Sequence, residues 1–351
     1  MNVVIDVSLQ HRDNAYRGVG TYTRLLFDSL KSHKSVNTVE LIENGQVPPN
    51  TSLIHYPYFD LFFRTLKPHE NIPFVVTVHD LIPLVYANHY WPGIKGSIRQ
   101  FFQIHSLKKA GAIITDSETS RQDIHNLLQM PLEKISVVYL AADPELQRPS
   151  DDIIAKTKQD FSLNKPYLLY VGDINYNKNL PALIRSFAHL KEETFDLVLV
   201  SRALGSKIIP EAREVHLAIA DSGLEERVRV LTNVPLSPKQ ALAGLYAGAE
   251  WYVQPSLYEG FGLPVLEAMQ CGTPVVASLG GSLKELVNET NAVVFKPESE
   301  EQILKALRFA LDLTANEKEA LTRKGIQRAT DFSWQKVAQQ TQDIYEKVLM
   351  H

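Results

Sequence analysis

The chain has 351 residues, of which 36 are Lys or Arg and 40 are Asp or Glu, so its net charge is -4. This length predicts two domains of about 100–200 residues each. The slightly acidic charge balance argues against binding to nucleic acid, because nucleic-acid-binding proteins are usually strongly basic. The single cysteine, Cys271, cannot form an internal disulfide, and no stretch reaches the roughly 18 apolar residues of a membrane span, so we expect a cytoplasmic protein.

Short apolar runs alternate with helical segments along the whole chain. The run 74–78 reads Phe-Val-Val-Thr-Val without alternation of apolar and polar residues, as expected of a parallel strand buried on both faces. The predicted strands are 3–7, 39–42, 53–55, 74–78, 112–115 and 137–140 in the first half, and 167–171, 197–200, 228–231, 251–253, 274–277 and 292–295 in the second. This order predicts two doubly wound α/β domains of six strands each.

A polar stretch at 150–165 separates the two predicted domains. We therefore place the first domain at 1–163 and the second at 164–333. Apolar residues recur at helical spacing in the remaining segment, 334–351, which predicts a C-terminal helix. In open α/β sheets ligands bind beyond the carboxyl ends of the strands, and two such domains facing each other enclose a cleft suited to a small molecule.

A glycine-containing segment follows the first predicted strand. Gly18 and Gly20 precede an amphipathic helix predicted for 22–30. Glycines at this place let backbone amides approach an anion at the positive end of a helix. A tight turn without a ligand explains the pair equally well, since the third glycine of a dinucleotide-binding fingerprint is missing.

Histidines stand at the ends of two predicted strands. His79 follows the run 74–78 directly, and an imidazole there can hydrogen-bond a sugar hydroxyl or exchange a proton near neutral pH. We therefore interpret His79 as functional. His55 follows a shorter strand and is surrounded by aromatic residues, so we interpret it as a packing residue.

The segment 81–115 is basic and aromatic. It contains Lys95, Arg99, Lys108 and Lys109 and no acidic residue. Such a segment can rest on anionic lipid headgroups, which predicts peripheral contact with the inner face of a membrane. A solvated helix face with a buried aromatic side is the alternative.

Two carboxylates flank a glycine loop after the strand 251–253. Pro264 suits the first turn of a helix, where its missing N–H costs nothing, so the loop 259–262 lies at a helix N-terminus and suits a diphosphate. Glu259 and Glu267 stand on either side, one suited to the hydroxyls of a sugar and the other to those of a ribose. Without a ligand, the glycines are turn residues and Glu267 complements the helix dipole.

Two further segments follow strands of the second predicted domain. Lys178 stands just before a helix, as a point charge able to neutralise a leaving phosphate. Gly280 and Gly281 form a second glycine turn, and Ser282 and Glu285 have the spacing of a capping box, which explains these two residues without a ligand.

Together these motifs resemble glycosyltransferase family 4, the retaining enzymes of the GT-B fold. The most specific is the Glu-x7-Glu motif, here Glu-Gly-Phe-Gly-Leu-Pro-Val-Leu-Glu from Glu259 to Glu267. The segments 18–22, 78–80, 116–120, 274–277 and 332–334 are also similar to the family. The resemblance covers nearly the whole chain and implies two Rossmann-like domains facing across a cleft, with the helix 334–351 packing back on the first domain.

The resemblance implies that the second domain binds a nucleotide-sugar donor. Glu259 would contact hydroxyls of the donor sugar, and Glu267 would bind the ribose. Lys178 would stabilise the diphosphate as it leaves. The residues lining the sugar and phosphate would be Gly260, Phe261, Gly262 and Leu263.

The first domain would, by the same resemblance, complete the donor site and hold a glycan or glycolipid acceptor. Gly18 and Gly20 would close over the phosphates, and His79 would contact the sugar as a catalytic residue. Retaining members react on one face of the sugar, and the leaving phosphate receives the acceptor proton. This chemistry implies no carboxylate nucleophile, no essential metal and no other cofactor.

One departure from the family concerns the diphosphate clamp. The family often has an arginine where this chain has Asp173, and Asn177 replaces another common basic residue. The clamp is then one cation short unless Arg202 or Arg17 supplies it. We include Asp173 and Arg202 in the predicted donor-binding set.

The segments 172–180 and 79–84 are similar to bacterial mannosyltransferases, which makes GDP-mannose the first expected donor. The expected enzyme is a hexosyltransferase of polysaccharide or lipopolysaccharide biosynthesis. The alternatives are a UDP-sugar transferase of the same fold, a nucleotide-sugar epimerase and, as a non-enzyme, a two-lobed sugar-binding protein. An epimerase would form product from the donor alone, and the Glu259 and Glu267 pair counts against a sugar receptor.

Overall fold

The structure is a computed structural model, and it describes residues 1–8, 18–32, 38–190, 194–235 and 238–350. Arg17, a candidate for the missing cation, lies outside the described residues. The chain forms two compact units. The first consists of Met1–Ala141 with Phe332–His351, and the second of Ala142–Asp331.

Twelve strands are present in the described part of the chain, close to the twelve predicted ones. They are β1 (Asn2–Asp6), β2 (Thr38–Ile42), β3 (Leu53–Tyr56), β4 (Phe74–Thr77), β5 (Ala112–Thr115), β6 (Ile135–Val137), β7 (Tyr167–Val171), β8 (Asp196–Val200), β9 (Val228–Leu231), β10 (Trp251–Gln254), β11 (Val275–Ser278) and β12 (Val293–Phe295). Their pairing is parallel throughout, as the unbroken apolar runs predict.

Helices connect these strands. They are α1 (Gly18–Lys31), α2 (Ile82–Val85), α3 (Gly93–Leu107), α4 (Glu118–Leu128), α5 (Asp151–Asp160), α6 (Leu180–Ala188), α7 (Pro210–Asp221), α8 (Gln240–Gly248), α9 (Leu263–Gln270), α10 (Leu283–Leu286), α11 (Glu300–Asp312), α12 (Ala315–Thr330) and α13 (Trp334–Met350). Short 3₁₀ helices at Leu132–Lys134, Tyr176–Lys178 and Arg202–Gly205 follow α4, β7 and β8. Within the described residues, none of the helices is long and apolar enough to cross a bilayer.

The first unit has the strand order β2-β1-β3-β4-β5-β6. The strands β3, β4 and β5 are buried at every position, whereas β2, at the edge of the sheet, is largely exposed. Helix α13 returns to this unit and packs against α1, where the rings of Trp334 and Tyr22 lie 6.2 Å apart. Gly111, before β5, approaches α13 so closely that a Cβ atom there would lie 2.6 Å from Val348 Cγ1.

The second unit has the strand order β12-β11-β10-β7-β8-β9. Every residue of β8, β10 and β11 is buried, and the core around the sheet is formed mainly by leucine, isoleucine, valine and aromatic side chains. Because all strands are parallel, their carboxyl ends lie at one edge of the sheet, which is where ligands bind in such folds.

The boundary between the units lies earlier than the sequence analysis places it. Residues 142–163, assigned by prediction to the first domain, belong to the second unit. The physical reason is the packing of α5 on α8: a Cβ atom at Gly244 would lie 2.3 Å from Thr157 Oγ1, so the two helices are in direct contact. The stretch 150–165 predicted a boundary because it is mostly polar, but α5 buries Ile154 and Thr157.

Two predicted elements differ from the observed ones. Strand β6 ends at Val137, whereas the prediction placed the strand at 137–140; after the bond from Val138 N to the Thr115 carbonyl, the chain leaves the sheet. Helix α1 begins at Gly18 rather than at residue 22. Gly18 and Gly20 therefore lie in the first helical turn, whose N–H groups have no partner within the helix, and not in a preceding loop.

Candidate functional site

The carboxyl ends of β7 and β10, neighbouring strands of the second sheet, carry the main predicted site residues. Lys178 ends the 3₁₀ helix that follows β7. Glu259 lies in the loop between β10 and α9. The parallel arrangement thus brings together two residues that are 81 positions apart in the sequence.

Lys178 and Glu259 form an ion pair. The Lys178 Nζ atom lies 2.7 Å from each carboxylate oxygen, and the side chains are only 18% and 7% exposed. Charges attract each other more strongly in such a poorly hydrated place than at the surface, and each one compensates the buried charge of the other. The sheet edge therefore holds a cation and a carboxylate side by side.

Three neutral side chains orient the Glu259 carboxylate. Gln254 Nε2 and Ser256 Oγ donate hydrogen bonds to Glu259 Oε1 at 2.9 and 2.6 Å, and the Tyr252 hydroxyl donates to the side-chain oxygen of Gln254. Burial, together with Tyr170 and Glu259, raises the pKa of Tyr252 well above its usual value, so its hydroxyl remains a donor. A buried and fully bonded network of this kind fixes one orientation of the carboxylate. Neither Gln254 nor Ser256 was among the predicted site residues.

The second glycine turn holds the backbone of the Glu259 loop. A Cβ atom at Gly280 would lie 2.4 Å from the Leu257 carbonyl oxygen, and one at Gly281 would lie 2.5 Å from the Glu259 carbonyl oxygen. Ser282 donates to the Glu259 carbonyl through its N–H at 3.0 Å, and its hydroxyl lies 2.9 Å from the same oxygen. The predicted capping box is wrong, because the Ser282 side chain bonds this loop instead of capping α10.

Asn177 ties the two loops of the site together. It is 1% exposed, its Nδ2 donates to the Tyr258 carbonyl at 2.9 Å, and its own carbonyl accepts from Leu257 N at 2.7 Å. Where the resemblance implies a basic residue, the structure thus has a buried amide that links the two loops.

The loop residues Gly260, Phe261 and Gly262 lead directly into α9. Gly262 has a φ of 109°, a conformation that favours glycine, and a Cβ atom there would lie 2.6 Å from Leu283 Cδ2. The ring of Phe261 is buried and anchors the loop. Leu263 and Pro264 form the first turn of the helix, so the loop lies at a helix N-terminus, as predicted. Its contact with a diphosphate stays a prediction.

Glu267, the second carboxylate of the motif, has different surroundings. It accepts a hydrogen bond from the Tyr246 hydroxyl at 2.9 Å. Burial raises the pKa of Glu267, and Asp143 adds to this effect, whereas Tyr246 and Lys239 act against it. Lys239 is itself paired with Asp143, with Nζ and Oδ2 2.5 Å apart. Glu267 therefore bonds a neutral hydroxyl group, whereas Glu259 pairs with the cation of Lys178. Ribose binding by Glu267 stays a prediction.

Asp173 and Arg202 follow β7 and β8 at the same edge of the sheet. The Asp173 carboxylate accepts from Ile174 N at 3.0 Å, and its carbonyl accepts from the Tyr170 hydroxyl at 2.5 Å. Arg202 is exposed and opens the 3₁₀ helix after β8. Both residues thus follow neighbouring strands at one edge of the sheet, and their donor-binding roles stay predictions.

His79, in the first unit, follows β4 and pairs with Asp116, which follows the neighbouring β5. The His79 Nδ1 atom lies 2.6 Å from Asp116 Oδ2, and Nε2 lies 3.2 Å from the Pro57 carbonyl oxygen. Burial on its own lowers the pKa of His79, but Asp116, with Asp80 and the Pro57 carbonyl, outweighs it and raises the pKa above its usual value. This pairing was not predicted, although β4 and β5 are adjacent parallel strands that end at the same edge of the sheet. The contact of His79 with a sugar stays a prediction.

A buried chain of hydrogen bonds lies beside His79. Tyr345 of α13 bonds His55 Nδ1 at 2.6 Å, His55 Nε2 bonds Thr77 Oγ1 at 2.7 Å, and Thr77 bonds the Tyr22 hydroxyl at 2.9 Å. The Tyr22 ring stands edge-on to His79, with ring centroids 4.8 Å apart. Burial, together with His79, lowers the pKa of His55 to about 3. His55 is therefore neutral and structural, in agreement with its interpretation as a packing residue.

The combined contribution of these two histidines to the stability of the first unit is expected to be largest at about pH 6.5, the usual pKa of histidine. At lower pH the unfolded chain protonates His55 and the folded unit does not, so the free energy of unfolding falls by about 1.4 kcal/mol per pH unit. At higher pH it also falls, because the stabilisation from protonated His79 is lost as the pH rises through the raised pKa. Chemical denaturation over a pH series measures both limbs. Asp116→Asn should flatten the alkaline limb, because it removes the carboxylate that raises the pKa of His79; an unchanged alkaline limb in this variant would contradict the assignment.

Both units are similar to known protein families. A family model described as glycosyl transferases group 1 matches residues 151–328, and one described as glycosyltransferase family 4 matches residues 39–146. The chain is 31% identical over 299 residues to O-antigen chain mannosyltransferase B of Escherichia coli, covering 84% of this chain and 74% of that protein. It is 29% identical over 278 residues to the serotype-specific mannosyltransferase WbdA of Escherichia coli, covering 77% of this chain but 33% of WbdA. The chain thus spans about a third of the length of WbdA.

The same architecture occurs in solved structures. The structure of HepE from Anabaena in complex with UDP-glucose matches with a TM-score of 0.75 and covers 98% of both chains, at 18% sequence identity. At this identity the likeness concerns the fold alone.

Proposed function

Since this chain belongs to the group 1 glycosyl transferases and has their GT-B fold, and is therefore a hexosyltransferase, we propose that it transfers mannose from GDP-mannose to a glycan or lipid-linked acceptor. The proposed transfer retains the configuration at the anomeric carbon and serves the synthesis of a polysaccharide or lipopolysaccharide. Membership in a transferase family speaks against the alternatives of an epimerase and of a sugar-binding protein.

The observation that carries this proposal is the Lys178 and Glu259 pair at the carboxyl edge of the second sheet. An ammonium group has three donors, and Glu259 accepts two of them at 2.7 Å. The third is available for an oxygen of the diphosphate. Glu259, held by Gln254 and Ser256, then accepts hydrogen bonds from mannose hydroxyls on its second oxygen.

In the proposed reaction, the bond between the anomeric carbon and the phosphate oxygen breaks, and the acceptor hydroxyl oxygen forms the new bond on the same face of the sugar. The acceptor proton passes to the leaving phosphate oxygen, so the products are GDP and the mannosylated acceptor. Lys178 stabilises the negative charge that develops on the diphosphate. Removing one such preorganised electrostatic contact typically lowers kcat by roughly 10²–10³-fold.

Two relatives support mannose as the transferred sugar, since both are mannosyltransferases. A UDP-sugar donor is the second candidate, because the HepE structure contains UDP-glucose. The higher sequence identity of the mannosyltransferases puts GDP-mannose first.

We further propose that the transfer requires no metal ion, with Lys178 providing the charge that a cation would otherwise supply. Activity should then persist in the presence of EDTA. We also propose that the enzyme is cytoplasmic. The cytoplasm is a reducing compartment, which is compatible with the single cysteine, Cys271, being buried and free.

Calorimetric titration with GDP, UDP, ADP and TDP tests the donor. We expect GDP to bind most tightly and Glu267→Ala to weaken its binding by roughly tenfold or more, the cost of hydrogen bonds to a charged group. Glu214→Ala, which removes an exposed carboxylate of α7, is the matched control and should bind GDP like the wild type. Selective UDP binding would overturn GDP-mannose as the donor, and failure to bind any nucleotide would overturn the donor site itself.

A further inference from the structure

Helix α3 of the first unit carries apolar side chains on its solvent side. Trp91, just before the helix, and Ile94 are each 80% exposed, and Phe101 is 68% exposed. Ile98 and Phe102 are also exposed. In chain order the five residues stand at positions 91, 94, 98, 101 and 102, a spacing that places them on one face of a helix. We call these five residues the α3 face. Its residues Trp91, Ile94, Ile98 and Phe101, with Ser97, line a depression of 420 Å³.

A basic groove lies directly beside the α3 face. It has a volume of 440 Å³ and is lined by Arg64, Lys67 and Arg99, together with Phe102 and other residues. Lys95 lies on α3 itself, and the whole segment 81–115 contains no acidic residue. None of Arg64, Lys67, Lys95 and Arg99 forms an ion pair within the described ranges of the chain. Apolar surface and uncompensated positive charge are therefore adjacent.

This combination determines what kind of surface can cover the α3 face. A second copy of the chain docking by two-fold symmetry would bury the apolar side chains, but it would bring the same lysines and arginines close to each other. An anionic lipid surface accepts the apolar and aromatic side chains among its acyl chains and headgroups, and its phosphates pair with the cations. Charge complementarity thus favours lipid over self-association.

We propose that the α3 face and its basic groove dock the enzyme on an anionic bilayer, with Trp91, Ile94 and Phe101 entering the interface and Arg64 and Lys67 binding headgroup phosphates. This docking goes beyond the proposed transfer reaction and does not depend on which donor or acceptor is used. It holds the first unit at the surface where a lipid-linked acceptor would be found.

Co-sedimentation with vesicles tests the docking. The full chain should bind vesicles of phosphatidylcholine and phosphatidylglycerol at low salt, and binding should weaken without phosphatidylglycerol or at high salt. The double variant Ile94→Glu/Phe101→Glu should lose at least roughly tenfold in binding. Arg64→Glu/Lys67→Glu should lose at least roughly tenfold on anionic vesicles and should also lose the salt dependence.

Matched controls lie on the second unit. Ile208 is 92% exposed and Lys207 is also exposed. Ile208→Glu and Lys207→Glu therefore make substitutions of the same types outside the α3 face and its basic groove, and both variants should bind vesicles like the wild type. Nucleotide titration of every variant reports whether the fold and the donor site remain intact, so failure of the docking is distinguishable from failure of the proposed function.

Three results would overturn the docking. The first is a wild-type chain that ignores anionic vesicles at low salt. The second is equal loss of binding in the Ile94→Glu/Phe101→Glu variant and in the Ile208→Glu control. The third is a wild-type dimer, measured by light scattering, that Ile94→Glu converts to a monomer without any change in vesicle binding; the α3 face would then bind a second copy of the chain.

Discussion

Replacing Lys178 by methionine is expected to lower kcat by roughly 10²–10³-fold, because it removes the cation that stabilises the leaving diphosphate. The same change leaves Glu259, whose side chain is 7% exposed, without its counter-charge. Breaking a buried ion pair in this way costs about 3 kcal/mol of folding stability. Steady-state kinetics and chemical denaturation measure the two effects separately.

The double variant Lys178→Met/Glu259→Gln separates the two roles of Lys178. Because the glutamine is neutral, we expect most of the lost stability to return while kcat stays low. Lys296→Met, which removes an exposed lysine after β12, is the control for loss of one positive charge and should leave kcat unchanged. If the double variant matches the single variant Glu259→Gln in kcat as well as in stability, Lys178 has only a structural role.

Replacing Gly281 by alanine is expected to damage the site through its backbone. The residue has a φ of 61°, which costs an alanine about 1 kcal/mol, and the added Cβ would lie 2.5 Å from the Glu259 carbonyl oxygen. Relieving this overlap costs about 1–3 kcal/mol more and displaces the Glu259 backbone. Since a displacement of about 1 Å at a reacting centre can cost 10²-fold in rate, kcat should fall by at least roughly tenfold.

Gly223 provides a closely matched control for this prediction. Its φ is 64°, and a Cβ atom there would have nothing within 4 Å. Gly223→Ala should therefore show the backbone strain alone, a loss of about 1 kcal/mol by thermal denaturation with normal kcat. Equal stability and kcat in the two variants would mean that the contact between Gly281 and the Glu259 loop has no influence on the site.

Much of the fold could be predicted from local patterns. The run 74–78 indicated a buried parallel strand, and β4 is indeed buried at each position. Pro264 predicted the start of α9, and it lies in the first turn of that helix. These signals are reliable because burial periodicity and dihedral preference act over a few neighbouring residues.

Other features depended on surroundings that local patterns do not contain. Ser282 has the spacing of a capping box, but in the structure its hydroxyl bonds the Glu259 loop, 23 positions away. Residues 142–163 read as part of the first domain, but α5 packs on α8 of the second unit. In both cases contacts with residues distant in sequence determine the structure, and the local sequence pattern does not.

The sequence alone determined the class of fold, the alternation of strands and helices, and the residue types offered to a ligand, including Glu259, Glu267 and Lys178. Only the tertiary structure decided which of these residues meet. The ion pair of Lys178 with Glu259 joins loops after β7 and β10, and the pair of His79 with Asp116 joins the ends of β4 and β5. The physical reason is that strand order depends on the packing of the whole sheet, so contacts between distant residues form only once every strand has found its neighbours.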